Sequence, residues 1–228
     1  MCGRFTLKKP RRVNFGGAGK LEFFQLTARY NIAPSQEVVT IVERRGERYT
    51  ELFKWGLIPS WSRESKGIIN ARAETICDKA SFKESFERRR CLIPADGFFE
   101  WQRSGKWIQP YYFQMNDESP FAFAGIWDSW NNGGATVNSC AIITTKANEL
   151  LATIHDRMPV ILLPSSYEEW LSDSSRTDYL LSLLEPYPSE EMKSYPVSSK
   201  VNGADIDEED LVKQVEVEQP PINFRLFD

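Results

Sequence analysis

From residue 97 to residue 145 the chain is a run of short, aromatic, β-prone stretches: Gly97–Gln102, 107–116, 121–127 and 137–145. They are separated by turn signals, the clearest being Asn132-Gly133-Gly134. Upstream, residues 37–55 read as a hairpin, EVVTIVERR and RYTELFKW joined by a turn at Gly46-Glu47. Cys91–Pro94 adds strand or strand-edge material. Short connections of this kind pair strands antiparallel, because a parallel pair needs a long crossover.

Helices enter only as short pieces. Ser81–Arg90 reads as a helix with Phe82 and Phe86 on one face and Arg88–Arg90 near its C-terminal end. Ala147–Ile154 reads as another. Ser166-x-x-Glu169 offers a capping box for a helix over Tyr167–Ser172, and Thr177–Leu184 follows. Asp205–Leu211 reads as an acidic turn or short helix, and the tail PPINFRLFD as extended. The expected fold is α+β: a single domain, residues 1–228, with a central antiparallel, barrel-like β-structure flanked by short helices. The motif-bearing core spans 1–164, with the acidic part, 165–228, packed on the same domain.

With 41% hydrophobic and 13% aromatic residues, the 228-residue chain can bury a sizeable core. Lys8, Lys9, Arg11 and Arg12 interrupt any leader-like apolar segment, and no apolar run approaches the roughly 18 residues of a membrane span. A cytoplasmic location without membrane association is expected. The overall charge of −4 hides an asymmetry. Residues 1–114 carry 21 Lys and Arg against 12 Asp and Glu; residues 115–228 carry 7 against 20. A basic face meeting a polyanion is one reading, and two solvated faces the other. The cysteines, Cys2, Cys77, Cys91 and Cys140, form no C-x-x-C pair, and one histidine does not complete a usual zinc site. No metal or cofactor is expected, and Cys77, Cys91 and Cys140 read as small buried hydrophobes.

Cys2 is different. Once Met1 is removed it carries an α-amine, ordinary pKa about 7.7–8.0, and a thiol, ordinary pKa about 8.5, on adjacent carbons. Such a 1,2-aminothiol can attack one aldehyde carbon twice and close a thiazolidine ring.

Four other stretches gather functional groups. In Trp55-Gly56-Leu57-Ile58-Pro59-Ser60-Trp61, Trp55 reads as core and Trp61 as the exposed ring suited to base stacking. In Asn70-Ala71-Arg72-Ala73-Glu74, a strand would point Asn70, Arg72 and Glu74 to one face, where Asn and Arg suit an amine and a phosphate. An Arg72–Glu74 surface salt bridge is the alternative. In Asp96-Gly97-Phe98-Phe99-Glu100-Trp101 a carboxylate lies among aromatics, and desolvation there favours a general acid/base working near neutrality. In Thr153-Ile154-His155-Asp156-Arg157-Met158-Pro159 the lone histidine abuts an Asp-Arg pair before a proline bend.

Taken in order, MCGR, WGLIPSW, NARAET, CLIPADGFFEW, the AGIW of Ala124–Trp127, TTKAN at Thr144–Asn148 and HDRMPV resemble the SRAP family, the SOS-response-associated peptidase-like proteins. The resemblance runs from residue 1 to about 160. It implies a DNA-damage-response protein that recognises abasic sites in single-stranded DNA and crosslinks covalently to their aldehyde through Cys2; a monomer is expected. The product is a thiazolidine that shields the lesion, with AP-lyase chemistry as a side activity. It also implies that Asn70 orients the Cys2 amine, that Glu100 shuttles protons, and that His155 assists sugar opening, imine chemistry and crosslink reversal. Arg4, Arg72, Trp61 and Thr144 are then expected along the DNA path, with Pro34 and the Arg88–Arg90 run as weaker candidates. Two rivals stand beside it. One is an N-terminal-nucleophile cysteine peptidase limited to autoprocessing; the other is a non-covalent reader of modified bases, for which the Glu100 and His155 pair has no obvious purpose.

Overall fold

The computed structural model describes residues 2–10 and 27–217. In chain order its strands are β1 Arg4–Leu7, β2 Arg29–Ile32, β3 Glu37–Arg44, β4 Glu47–Trp55, β5 Asn70–Arg72, β6 Arg90–Ala95, β7 Gly97–Ser104, β8 Trp107–Met115, β9 Phe121–Asn132, β10 Ala135–Lys146, β11 Arg157–Pro159, β12 Ile161–Leu162 and β13 Met192–Pro196. The helices are short: α1 Lys83–Arg88, α2 Glu149–Ala152, α3 Tyr167–Leu171 and α4 Thr177–Ser182.

Five strands close on themselves. β10 pairs β4, β4 pairs β3, β3 pairs β6, β6 pairs β9, and β9 returns to β10. Closure leaves these strands no free edge. β5, β11 and β12 extend the wall at its rim, where β10 and β9 outrun their barrel partners. A second sheet, in the order β13-β8-β7-β1-β2, packs against the barrel. The joint is aromatic: the Phe5 ring sits edge-on to Trp55 and Phe123 at centroid distances of 5.2 and 5.6 Å. Such contacts add about 0.5–1.5 kcal/mol beyond the buried area.

The expected α+β, single-domain, barrel-like architecture is the one observed, with several local departures. The β4–β10 and β5–β10 pairs are parallel. α1 ends at Arg88, and Arg90 is already a buried strand residue. Its guanidinium binds the carbonyls of Phe86, Glu87, Trp170 and Ser172, so it closes the end of α1 from inside. The Ser166 capping box does not form; Ser166 precedes α3 without a side-chain cap bond. Glu74 falls in a 3-10 turn, Ala73–Thr75, because β5 ends at Arg72. Cys77 is half-buried rather than a core residue. The 37–55 hairpin forms, but it turns at Arg45-Gly46, one residue before the expected Gly46-Glu47, and the Asn132-Gly133-Gly134 turn is as expected, with both of its glycines at positive φ. The PPINFRLFD tail lies outside the described residues.

The acidic C-terminal part is tied to the second sheet. β13 pairs β8, and Val197, Val201 and Leu211 form a small core with Phe99 and Tyr112. Asn31, fully buried on β2, donates to the carbonyls of Gly203 and Ile206, and Asp207 accepts the N–H groups of Tyr30 and Asn31.

Candidate active site

The register of the second sheet brings the chain start to Glu100. β1 runs antiparallel to β7 with Phe5 opposite Phe98 and Arg4 opposite Phe99. One further step sets Gly3 opposite Glu100. Cys2 is completely buried there, and Glu100 is 2% exposed. The Cys2 thiol donates a weak 3.9 Å bond to the Arg4 carbonyl. Burial first, and the nearby Glu100 carboxylate second, push the thiol well above its ordinary range. Both influences disfavour the thiolate, so the ordinary thiol value does not describe Cys2. Glu100 is also raised, by desolvation; the positive charge at the amino terminus and His155 pull the other way.

Asn70 arrives from the barrel. β5 runs parallel to β10 with Asn70 opposite Ile142. Its Nδ2 donates to the Cys2 carbonyl at 2.9 Å, while Oδ1 is buried without a hydrogen-bond partner. An acceptor left open beside Cys2 suits an N–H that the ready state presents.

His155 follows α2, which Asn148 caps by accepting from Leu151 N–H at 2.9 Å. The His155 Nδ1 accepts the Arg157 N–H at 3.0 Å, so in the neutral ring the proton sits on Nε2. The Asp156 carboxylate lies 2.9 Å from the same Nδ1 but is 85% exposed; it is an ion-pair partner only for the protonated ring. His155 acts electrostatically on Glu100, and Glu100 on Cys2. Cys2, Asn70, Glu100 and His155, far apart in the chain, thus form one cluster.

The expected DNA-path residues divide. Arg72 is exposed at the end of β5, and Trp61 is 62% exposed. Trp55 is core, as its pattern indicates, with Nε1 donating to the Ile69 carbonyl. Pro34 is half-buried in the turn after β2, where Ser35 N–H donates to the Trp55 carbonyl. Arg4 departs from expectation: its guanidinium donates to Asn31 Oδ1 at 2.8 Å, to the Val201 carbonyl at 2.6 Å and to the Asn202 carbonyl at 3.0 Å. It is a strut between β1 and the C-terminal segment. Thr144 is buried beneath the Arg157 guanidinium, its hydroxyl directed at the Ala71 carbonyl. In the Arg88–Arg90 run only Arg88 is exposed; Arg89 pairs with Glu84 and Asp128.

Some residues that build the site were missed. Arg157 grips both oxygens of Glu74, where an Arg72–Glu74 bridge was the alternative considered, and also holds the Thr144 carbonyl. The HDRMPV stretch contained this arginine, but only the topology shows which carboxylate it meets. Asn31 had no local signal. Asp96 sat beside Glu100 in the same aromatic stretch. It is the buried structural carboxylate, taking the Thr6 hydroxyl and the Lys8 and Lys9 N–H groups.

The family model described as SOS response associated peptidase (SRAP) matches residues 1–204. The chain is 41% identical over 222 residues to the abasic site processing protein YoqW of Bacillus subtilis, covering 93% of this chain and 99% of that one. It is 30% identical over 232 residues to the abasic site processing protein YedK of Escherichia coli, covering 94% and 100%. A crystal structure of a Bacteroides thetaiotaomicron protein superposes with a TM-score of 0.83 at 29% identity, covering 94% of this chain and all of that one. The chain belongs to the SOS response associated peptidase (SRAP) family.

Proposed function

We propose that this protein processes abasic sites in single-stranded DNA by forming a thiazolidine crosslink through Cys2 after loss of Met1. The observation that carries the reading is the burial of the Cys2 thiol beside Glu100, with Asn70 bonded to the Cys2 backbone. The names of the SRAP relatives support abasic-site processing.

Burial disfavours the thiolate, which leaves the amine to act first. The Cys2 amine adds to the ring-opened sugar aldehyde; protonated Glu100, whose affinity for its proton is raised, gives that proton to the carbinolamine hydroxyl, and water leaves, giving an iminium and a Glu100 carboxylate. That iminium acidifies the sugar's α-proton and invites β-elimination, the lyase side reaction. The thiol then loses its proton to Glu100, whose raised affinity for protons suits it as acceptor, and sulfur adds to the same carbon. The ring nitrogen becomes a neutral secondary amine, and elimination stops. His155, with its Nε2 proton, serves the sugar oxygen during ring opening. Arg72 and Trp61 supply phosphate and base contacts.

The test is incubation with a single-stranded oligonucleotide carrying one abasic site, followed by denaturing electrophoresis and peptide mapping. A crosslinked N-terminal peptide lacking Met1 is expected. A protein that binds this DNA without any bond surviving denaturation sinks the reading in favour of non-covalent recognition.

A further inference from the structure

Trp61 stands exposed on a loop whose two shoulders are fastened to the barrel wall. Gly56 N–H donates to the Cys140 carbonyl at 2.8 Å, and Leu57 and Ile68 exchange two 2.9 Å bonds. Ile58 N–H donates to the Ser139 hydroxyl at 2.8 Å. Immediately before the tryptophan, Ser60 N–H donates to Asp128 Oδ2 at 2.8 Å. Immediately after it, the Ser62 carbonyl accepts from Trp130 Nε1 at 2.8 Å. Asp128 and Trp130 are both buried and stand two residues apart on β9, so they share one face of that strand. The second Asp128 oxygen takes Ser129 N–H at 2.8 Å, and Arg89 Nε lies 3.3 Å from it as an ion-pair partner.

We propose that Asp128 and Trp130 are positioning residues that hold the Trp61 loop in its DNA-receiving form before DNA arrives. An indole on a slack loop would be free to fold back onto the apolar surface, and ordering it on binding would cost affinity. Two bonds that bracket the ring, each anchored in the barrel, remove that cost in advance. The inference rests on the reading of Trp61 as a base-stacking residue.

The test uses single-stranded DNA carrying a tetrahydrofuran abasic analogue, which has no aldehyde, so affinity is read apart from crosslinking. The proteins compared are the wild type, Trp61→Ala, Asp128→Asn, Trp130→Phe, and the combination of Trp61→Ala with Asp128→Asn. Asp128→Asn and Trp130→Phe are each expected to weaken binding about three- to tenfold, the ordering cost of one loop. In the Trp61→Ala background Asp128→Asn is expected to have no further effect, because nothing remains to position. With reactive abasic DNA the loss falls on the half-saturating concentration and not on the saturated crosslinking rate. Equal losses in both backgrounds, or full affinity in Asp128→Asn while Trp61→Ala is weakened, overturn the positioning claim alone. Full affinity in Trp61→Ala overturns the stacking reading and the inference with it.

Discussion

The side-chain amide of Asn70 donates a 2.9 Å hydrogen bond to the carbonyl oxygen of Cys2 and leaves its own oxygen buried and open. One residue of the barrel thus fixes the position of the second residue of the chain. The proposed chemistry needs this, because an amine and a thiol on one residue must reach one carbon from a fixed backbone.

Cys2→Ala keeps the α-amine and removes the sulfur. Imine formation should persist and ring closure should not. Stable crosslinks are expected to disappear, while borohydride still traps the protein on abasic DNA and some strand cleavage remains. The two readouts on one gel check it. A crosslink that forms in Cys2→Ala and survives denaturation without reduction is incompatible with sulfur closing the ring.

Glu100→Gln should slow crosslinking on the order of 100-fold, the size of a general acid–base contribution. It should also stabilise the fold above neutrality. Burial raises the folded-state affinity of Glu100 for its proton, so ionising it costs the folded state more than the unfolded one. Wild-type stability therefore falls as pH rises from the ordinary carboxylate range through the raised folded-state pKa. At low pH both states hold the proton and the difference vanishes. Melting curves should show Glu100→Gln about 2–5 °C above wild type at pH 8, converging near pH 4. An equal gain at both pH values removes burial of the charge as its cause.

Much of this was legible in the chain. The hairpin, the barrel-like aromatic strands and the exposure of Trp61 against the burial of Trp55 followed from pattern and turn chemistry. Cys2, Asn70, Glu100 and His155 were each singled out by their own stretch of sequence, and only the fold shows that they lie together. Arg4 and Arg90 were not legible as struts, since the carbonyls of Val201 and Asn202 for Arg4, and of Trp170 and Ser172 for Arg90, belong to segments 80 to 198 residues away. The parallel β4–β10 closure was hidden because its pairing covers only Lys54 with Ser139 and Trp55 with Cys140. The upward push on the Cys2 thiol was not legible, because it comes from burial that only the fold creates.

Arg4→Ala and Arg72→Ala should separate cleanly. Arg4 satisfies Asn31 and two carbonyls of the C-terminal segment, and its loss should cost about 2–3 kcal/mol in chemical denaturation. Arg72 is exposed, and its loss should leave stability within about 0.5 kcal/mol. It should instead weaken DNA binding and lower the salt slope by about one unit.

Arg90→Met should act on the fold alone. Four carbonyls lose their donors at once, two of them in the last turn of α1, so a loss of about 3 kcal/mol or more is expected. The salt dependence of DNA binding by the folded fraction should match wild type, because the guanidinium never reaches a phosphate.

Gly67→Ala tests the base of the Trp61 loop. A Cβ at Gly67 would lie 2.5 Å from the Gly56 carbonyl oxygen and 2.8 Å from the Gly56 Cα, so the clash is with backbone and not with a side chain that can rotate. Gly56 has φ +135°, a conformation other residues rarely adopt, so it has little freedom to retreat. The paired 2.9 Å bonds between Leu57 and Ile68 lie directly beyond this contact and should lengthen or break. The expected result is a lower melting temperature together with weaker binding to the tetrahydrofuran-containing strand. Hydrogen exchange should rise first at Leu57 and Ile68, while Asn70, on the neighbouring β5, stays protected by its pairing to β10. Uniform loss of protection across the barrel would instead show that the two glycines hold the whole wall and not the loop alone.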